Sequence, residues 1–71
     1  MTIPNPPEPK LTEREKDILV LSSKGCYAPE VAQRLGMCLG TVNDHLKSIY
    51  RKLDVHSKVE AAVWAVKAGL V

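Results

Sequence analysis

Cys38-Leu39-Gly40-Thr41-Val42-Asn43-Asp44-His45-Leu46-Lys47-Ser48-Ile49-Tyr50-Arg51-Lys52-Leu53 is the stretch whose periodicity decides the fold. Val42, Leu46, Ile49 and Leu53 recur at i, i+4, i+7 and i+11, which is one stripe of an α-helix and has to be buried. At about 3.6 residues per turn, the opposite side carries Gly40, Asp44, Lys47 and Arg51, flanked by Asn43 and Ser48. The spacing predicts one long helix over 39–53, half core and half exposed polar edge.

Working back from it, Pro29-Glu30-Val31-Ala32-Gln33-Arg34-Leu35 reads as a short helix. Gly36 tolerates positive φ and suits a helix stop. Only Met37 and Cys38 separate that glycine from the long helix. Ala32, Gly36 and Val42 fall where a helix-turn-helix needs a small residue at the helix contact, a glycine in the turn and an apolar lock on the second helix. An αα-hairpin in a protein-interaction module shares this pattern, so spacing alone leaves both readings open.

The 71 residues make one small domain. The chain has no Phe, so Leu, Val, Ile and Ala must fill the core, which favours close-packed helices. With no signal-like or membrane-length apolar run, the expected setting is a soluble, cytoplasmic protein with no membrane contact. The two cysteines, Cys26 and Cys38, have no second ligand pair beside them. They are expected to be reduced and structural, with a redox switch as the lesser alternative and no metal or cofactor. Net charge is only +2, but it is unevenly placed. The segments 1–10, 11–37 and 59–71 each sum to zero. The excess lies in 38–58, as Lys47, Arg51, Lys52 and Lys58 against Asp44 and Asp54. A phosphate backbone requires such a local field, although a solvated helix face with so few charges looks similar.

Residues 1–10 hold Pro4, Pro6, Pro7 and Pro9 and are expected to form a linker or disordered arm. Their Pro-x-x-Pro spacing arises by chance in any run so rich in proline. Thr12 with Glu15 forms a capping box for a first helix, with Ile18, Leu19 and Leu21 buried and Lys24-Gly25 as its end. Pro29 suits the first turn of the second helix. Asp54-Val55-His56-Ser57 is long enough only for a turn. Ser57 caps a last helix from Lys58 to about Ala68, stopped by Gly69. There Ala61, Ala62, Ala65 and Ala68 make a small-residue face, while Val59, Val63 and Val66 make a second apolar stripe. A monomer of this size cannot readily bury both. The valine stripe is therefore a candidate homodimer contact, the alternative being that Val59 or Val66 simply rims the core.

Taken together the residues resemble the LuxR/GerE-type DNA-binding domain over 11–71. The match rests on Leu11-Thr12-x-Arg14-Glu15, Ile18-Leu19, Gly25 and Glu30-Val31-Ala32-x-x-Leu35. It continues through Thr41-Val42-x-x-His45, Ile49, Lys52-Leu53-x-Val55, Ala61, Ala65 and Gly69-Leu70-Val71. The resemblance implies an all-α four-helix bundle containing a helix-turn-helix. It implies that the third helix enters the DNA major groove and that the last helix can mediate dimerisation. It also implies duplex DNA, a second copy of the chain and RNA polymerase as partners. Cys38 and Tyr27 depart from the family pattern where small capping residues are usual, Asn43 where Lys or Arg is common, and Lys58 where Arg is usual.

The resemblance places base-reading side chains at Asn43, Asp44 and Lys47. Asn pairs with an adenine edge and Lys with guanine O6 and N7. Asp44 accepts from a cytosine amino group, pairs with Lys47 or Ser48 on its own helix, or stands solvated. Thr41, Arg51, Lys52 and Lys58 are candidates for phosphate contact, and His45 is expected to brace the helix while touching phosphate. Neither His45 nor His56 has a nucleophile or carboxylate at catalytic spacing, so an enzyme is not expected. The rival class is a protein-interaction module that binds a partner regulator through its last helix without reading DNA.

Overall fold

The computed structural model describes residues 11–71, so the proline-rich arm expected over 1–10 lies outside the described residues. Four helices follow one another: α1 (Glu13–Ser23), α2 (Ala28–Leu35), α3 (Leu39–Leu53) and α4 (Lys58–Lys67). No strand occurs among the described residues. The third helix has the bounds that its periodicity predicts.

Helix α1 starts with the expected reciprocal cap. Thr12 is extended, its hydroxyl accepts from the Glu15 N–H at 3.1 Å, and the Glu15 carboxylate accepts from the Thr12 N–H at 2.9 Å. Such a cap stabilises a helix by about 1 kcal/mol. Gly36 closes α2 in the left-handed region, with φ 65°. Its N–H bonds to the Ala32 and Gln33 carbonyls, and the Met37 N–H reaches the Ala32 carbonyl at 2.9 Å. The bend at Gly36 separates α2 from α3, and Ala32, one turn before it, is buried in the core. Asp54 closes α3 with φ 54°, a conformation Asp tolerates better than most residues.

Ile18, Leu19, Val31, Val42 and Ile49 are the largest side chains wholly removed from water, and Ala61 and Ala65 join them from α4. Leu11, Leu21, Leu35, Leu46, Tyr50 and Trp64 pack around this centre, partly buried. Helix α1 packs most extensively on α4 and next on α3, so it lies behind the α2–α3 pair. Without Phe, the small face of α4 brings backbones close enough to close the core. The expectation for α4 needs correcting at its end. The helix stops at Lys67, and Ala68 is its exposed C-cap rather than part of the buried face. Gly69, at φ 77°, turns the chain there so that Leu70 folds back and its N–H reaches the Ala65 carbonyl at 2.9 Å. Ala62 is only half-buried, and Leu21, expected in the core, is likewise half-buried at its edge.

Candidate nucleic-acid interface

The core grips α3 along one side only. Val42 and Ile49 are fully buried, Leu53 is nearly so and Leu46 is partly buried. On the far side Gly40, Thr41, Asn43, Asp44, Lys47 and Arg51 are all exposed. The three expected base-reading residues and two of the expected phosphate partners therefore share one solvent-facing surface. His45 and Ser48 are half-buried at its margin. Gln33 and Arg34 are exposed on α2, where Arg34 pairs with Glu30 at 3.1 Å.

The starts of α2 and α3 lack side-chain caps. Tyr27 and Cys38 occupy those positions in extended conformation, and neither side chain accepts a hydrogen bond from its helix. A phenol pointing outward and a thiol cannot replace the short hydroxyl or carboxylate that reaches back to the second or third N–H. The two cysteines are free, Cys26 buried and Cys38 exposed.

The remaining two expected phosphate partners, Lys52 exposed and Lys58 half-buried, have ammonium groups engaged by acceptors of the chain itself. The Lys52 ammonium lies 2.7 Å from the Glu15 carboxylate, whose side chain is almost wholly enclosed. The Lys58 ammonium donates to the Cys26 carbonyl at 2.9 Å and sits 3.7 Å from the centroid of the Tyr27 ring. This cation–π contact ties the start of α4 to the start of α2. For either lysine to meet a phosphate, these bonds must open.

Glu15 is the residue whose role the chain's local patterns hide. Burial by itself would raise its pKa. Hydrogen bonds from the Lys52 ammonium, the Thr12 N–H and the Ser48 hydroxyl, with the charge of Lys52, outweigh that effect and hold it at about 2. As the third residue of a capping box it looks fully accounted for. Nothing in the spacing shows that the same carboxylate is also met by a lysine on another helix. A signal did exist: Glu15 lies on the buried side of α1 with Ile18, Leu19 and Ser22, and an acid there needs a partner. Among the described residues no three His, Cys, Asp or Glu side chains gather as a metal ion would require, and no helix is long and apolar enough to cross a membrane.

A short helix, a tight glycine turn and a second helix held by one stripe with its polar side exposed define a helix-turn-helix module of the DNA-binding transcriptional regulators. The family model for GerE, the bacterial regulatory proteins of the luxR family, matches residues 9–65, and the chain belongs to that family. It is 43% identical over 61 residues to the transcriptional activator protein AnoR of Acinetobacter nosocomialis, covering 86% of this chain and 26% of that protein. It is 44% identical over 55 residues to the nitrate/nitrite response regulator protein NarL of Escherichia coli, covering 78% and 26%. It is 38% identical over 65 residues to the transcriptional regulatory protein LiaR of Bacillus subtilis, covering 92% and 31%. The chain thus spans between a quarter and a third of the length of these relatives.

Proposed function

We propose that this chain is the DNA-reading part of a transcription regulator, with α3 in the major groove of a duplex. The observation that carries this is the two-sidedness of α3. Val42 and Ile49 are fully buried, while Asn43, Asp44, Lys47 and Arg51 face solvent on the same helix. Asn43, Asp44 and Lys47 meet base edges, and Thr41, His45 and Arg51 meet phosphates. Asp44 beside a phosphate backbone is unfavourable unless it accepts from a cytosine amino group, so it selects against other bases as much as for that one.

Dimerisation through α4 belongs to the same proposal. Val59, Val63 and Val66 are 72%, 48% and 62% exposed. Three valines in line on one helix are costly to leave in water and suit a two-fold contact with the same stripe on a second copy. A dimer would place two α3 helices on an inverted or direct repeat. RNA polymerase as a further partner, and a place for this module in a longer, signal-receiving chain, are further parts of the proposal, in keeping with relatives named as a transcriptional activator and a response regulator. Their match to this chain covers only the shared module.

A gel-shift titration against duplex DNA tests the reading. Affinity should fall steeply with salt, by about 0.9 log units per tenfold salt for each phosphate neutralised. Lys47→Ala should cost about 1–3 kcal/mol and relax preference at one base pair. Binding by that variant with unchanged strength and preference removes Lys47 from the reading set.

A further inference from the structure

We infer that Glu15 is a positioning residue for the DNA-reading helix, with Lys52 as its handle on that helix rather than a contact to the nucleic acid. The inference rests on the DNA-binding reading above and adds a residue outside the helix-turn-helix to its machinery. One carboxylate oxygen of Glu15 accepts both the Thr12 N–H at 2.9 Å and the Lys52 ammonium at 2.7 Å. Lys52 stands in the last turn of α3, so a single buried carboxylate joins the start of α1 to the far end of the reading helix.

Apolar packing fixes how deep α3 sits, but it is non-directional. The stripe of Val42, Leu46, Ile49 and Leu53 resists separation better than it resists rolling. Hydrogen bonds to a charged acceptor are directional and short. Lys52 follows Arg51 about 100° further round the helix. Holding 52 therefore sets the bearing of 51, and of 47 one turn before it. Recognition groups have to be aimed within about 10–20° to work. An enclosed ion pair is a poor source of net stability compared with apolar packing, and setting register is its best-attested use.

The test takes the full chain, a duplex that it selects from a random pool, and a scrambled duplex of the same length. Gel-shift titrations over a range of salt compare the wild type with Lys52→Met, Lys52→Arg, Glu15→Gln and the Glu15→Gln/Lys52→Met double variant. Folding is checked by circular dichroism. Lys52→Met should keep the wild-type salt slope yet lose about tenfold in preference for the selected duplex. Lys52→Arg should retain most of the preference. The double variant should be no worse than the worse single one, because both remove one linkage. A slope reduced by about 0.9 in Lys52→Met would make Lys52 a phosphate contact and overturn the inference. Unchanged preference in folded variants, or losses that simply add, would overturn it as well. If Glu15→Gln does not fold, Lys52→Met and Lys52→Arg decide the matter. A wild type that selects no duplex fails the DNA-binding reading itself and takes the inference with it. Selection by the wild type with a changed slope in Lys52→Met fails the inference alone.

Discussion

Glu15 is 3% exposed, and its carboxylate is met by Thr12 at the start of α1 and by Lys52 on α3. Its pKa in the folded chain, about 2, lies below the ordinary 4.5. A carboxyl depressed on folding contributes stability that is complete above the unfolded value and is lost as pH falls through the folded one. The contribution is of order 3 kcal/mol at neutral pH. Thermal melts should therefore show the wild type losing stability between about pH 4.5 and pH 2 more steeply than Glu15→Gln, which has no proton to gain there. Parallel acid limbs in the two proteins would show that the carboxylate is not the group responsible. The capping half of this residue was legible, because a hydroxyl residue and a glutamate three positions apart form a local motif. The ion-pair half was not, because Lys52 is far along the chain and only tertiary packing brings it within 2.7 Å.

At the scale of the elements, α1 and α4 begin with hydroxyl caps, whereas α2 and α3 do not. That contrast is plain from Thr12 and Ser57 against Tyr27 and Cys38, and the structure bears it out. Cys38→Ser should supply the missing acceptor at the start of α3 and raise stability by about 1 kcal/mol in thermal or denaturant unfolding. No gain would mean that the first-turn N–H groups of α3 are already satisfied by water at no cost. The stripe of Val42, Leu46, Ile49 and Leu53 was equally legible, since the aliphatic period fixes both the element and its buried side. The end of α4 was less so. Ala68 continues the alanine period, but the glycine after it turns the chain, and a left-handed residue overrides periodicity.

Across the whole molecule, the four helices bury one face of α4 and leave its valine stripe in water. A single substitution there separates association from folding. Val63→Asp should leave the unfolding free energy within about 0.5 kcal/mol of wild type, as exposed sites do. It should also abolish any dimer seen by sedimentation equilibrium and weaken binding to a two-site duplex far more than to a half-site. Equal loss on both duplexes would place the stripe outside the dimer. The charge map belongs to this scale too. Four bases stand in 38–58, but two of them, Lys52 and Lys58, spend their ammonium groups on Glu15 and on the Cys26 carbonyl with the Tyr27 ring. Lys47 and Arg51 stand exposed on the outer side of α3, Lys52 is offset by the Glu15 carboxylate, and Lys58 keeps its charge because its acceptors are neutral.

Helix periods, hydroxyl caps and glycine stops are local, and they determined from the residues alone that this chain forms four helices, with the third exposing Asn43, Asp44, Lys47 and Arg51. Which cations are left over for a partner was decided only by tertiary structure. An ammonium on a long, flexible stem takes whichever acceptor the fold places within reach, and the acceptors of Lys52 and Lys58 lie 37 and 32 residues away along the chain.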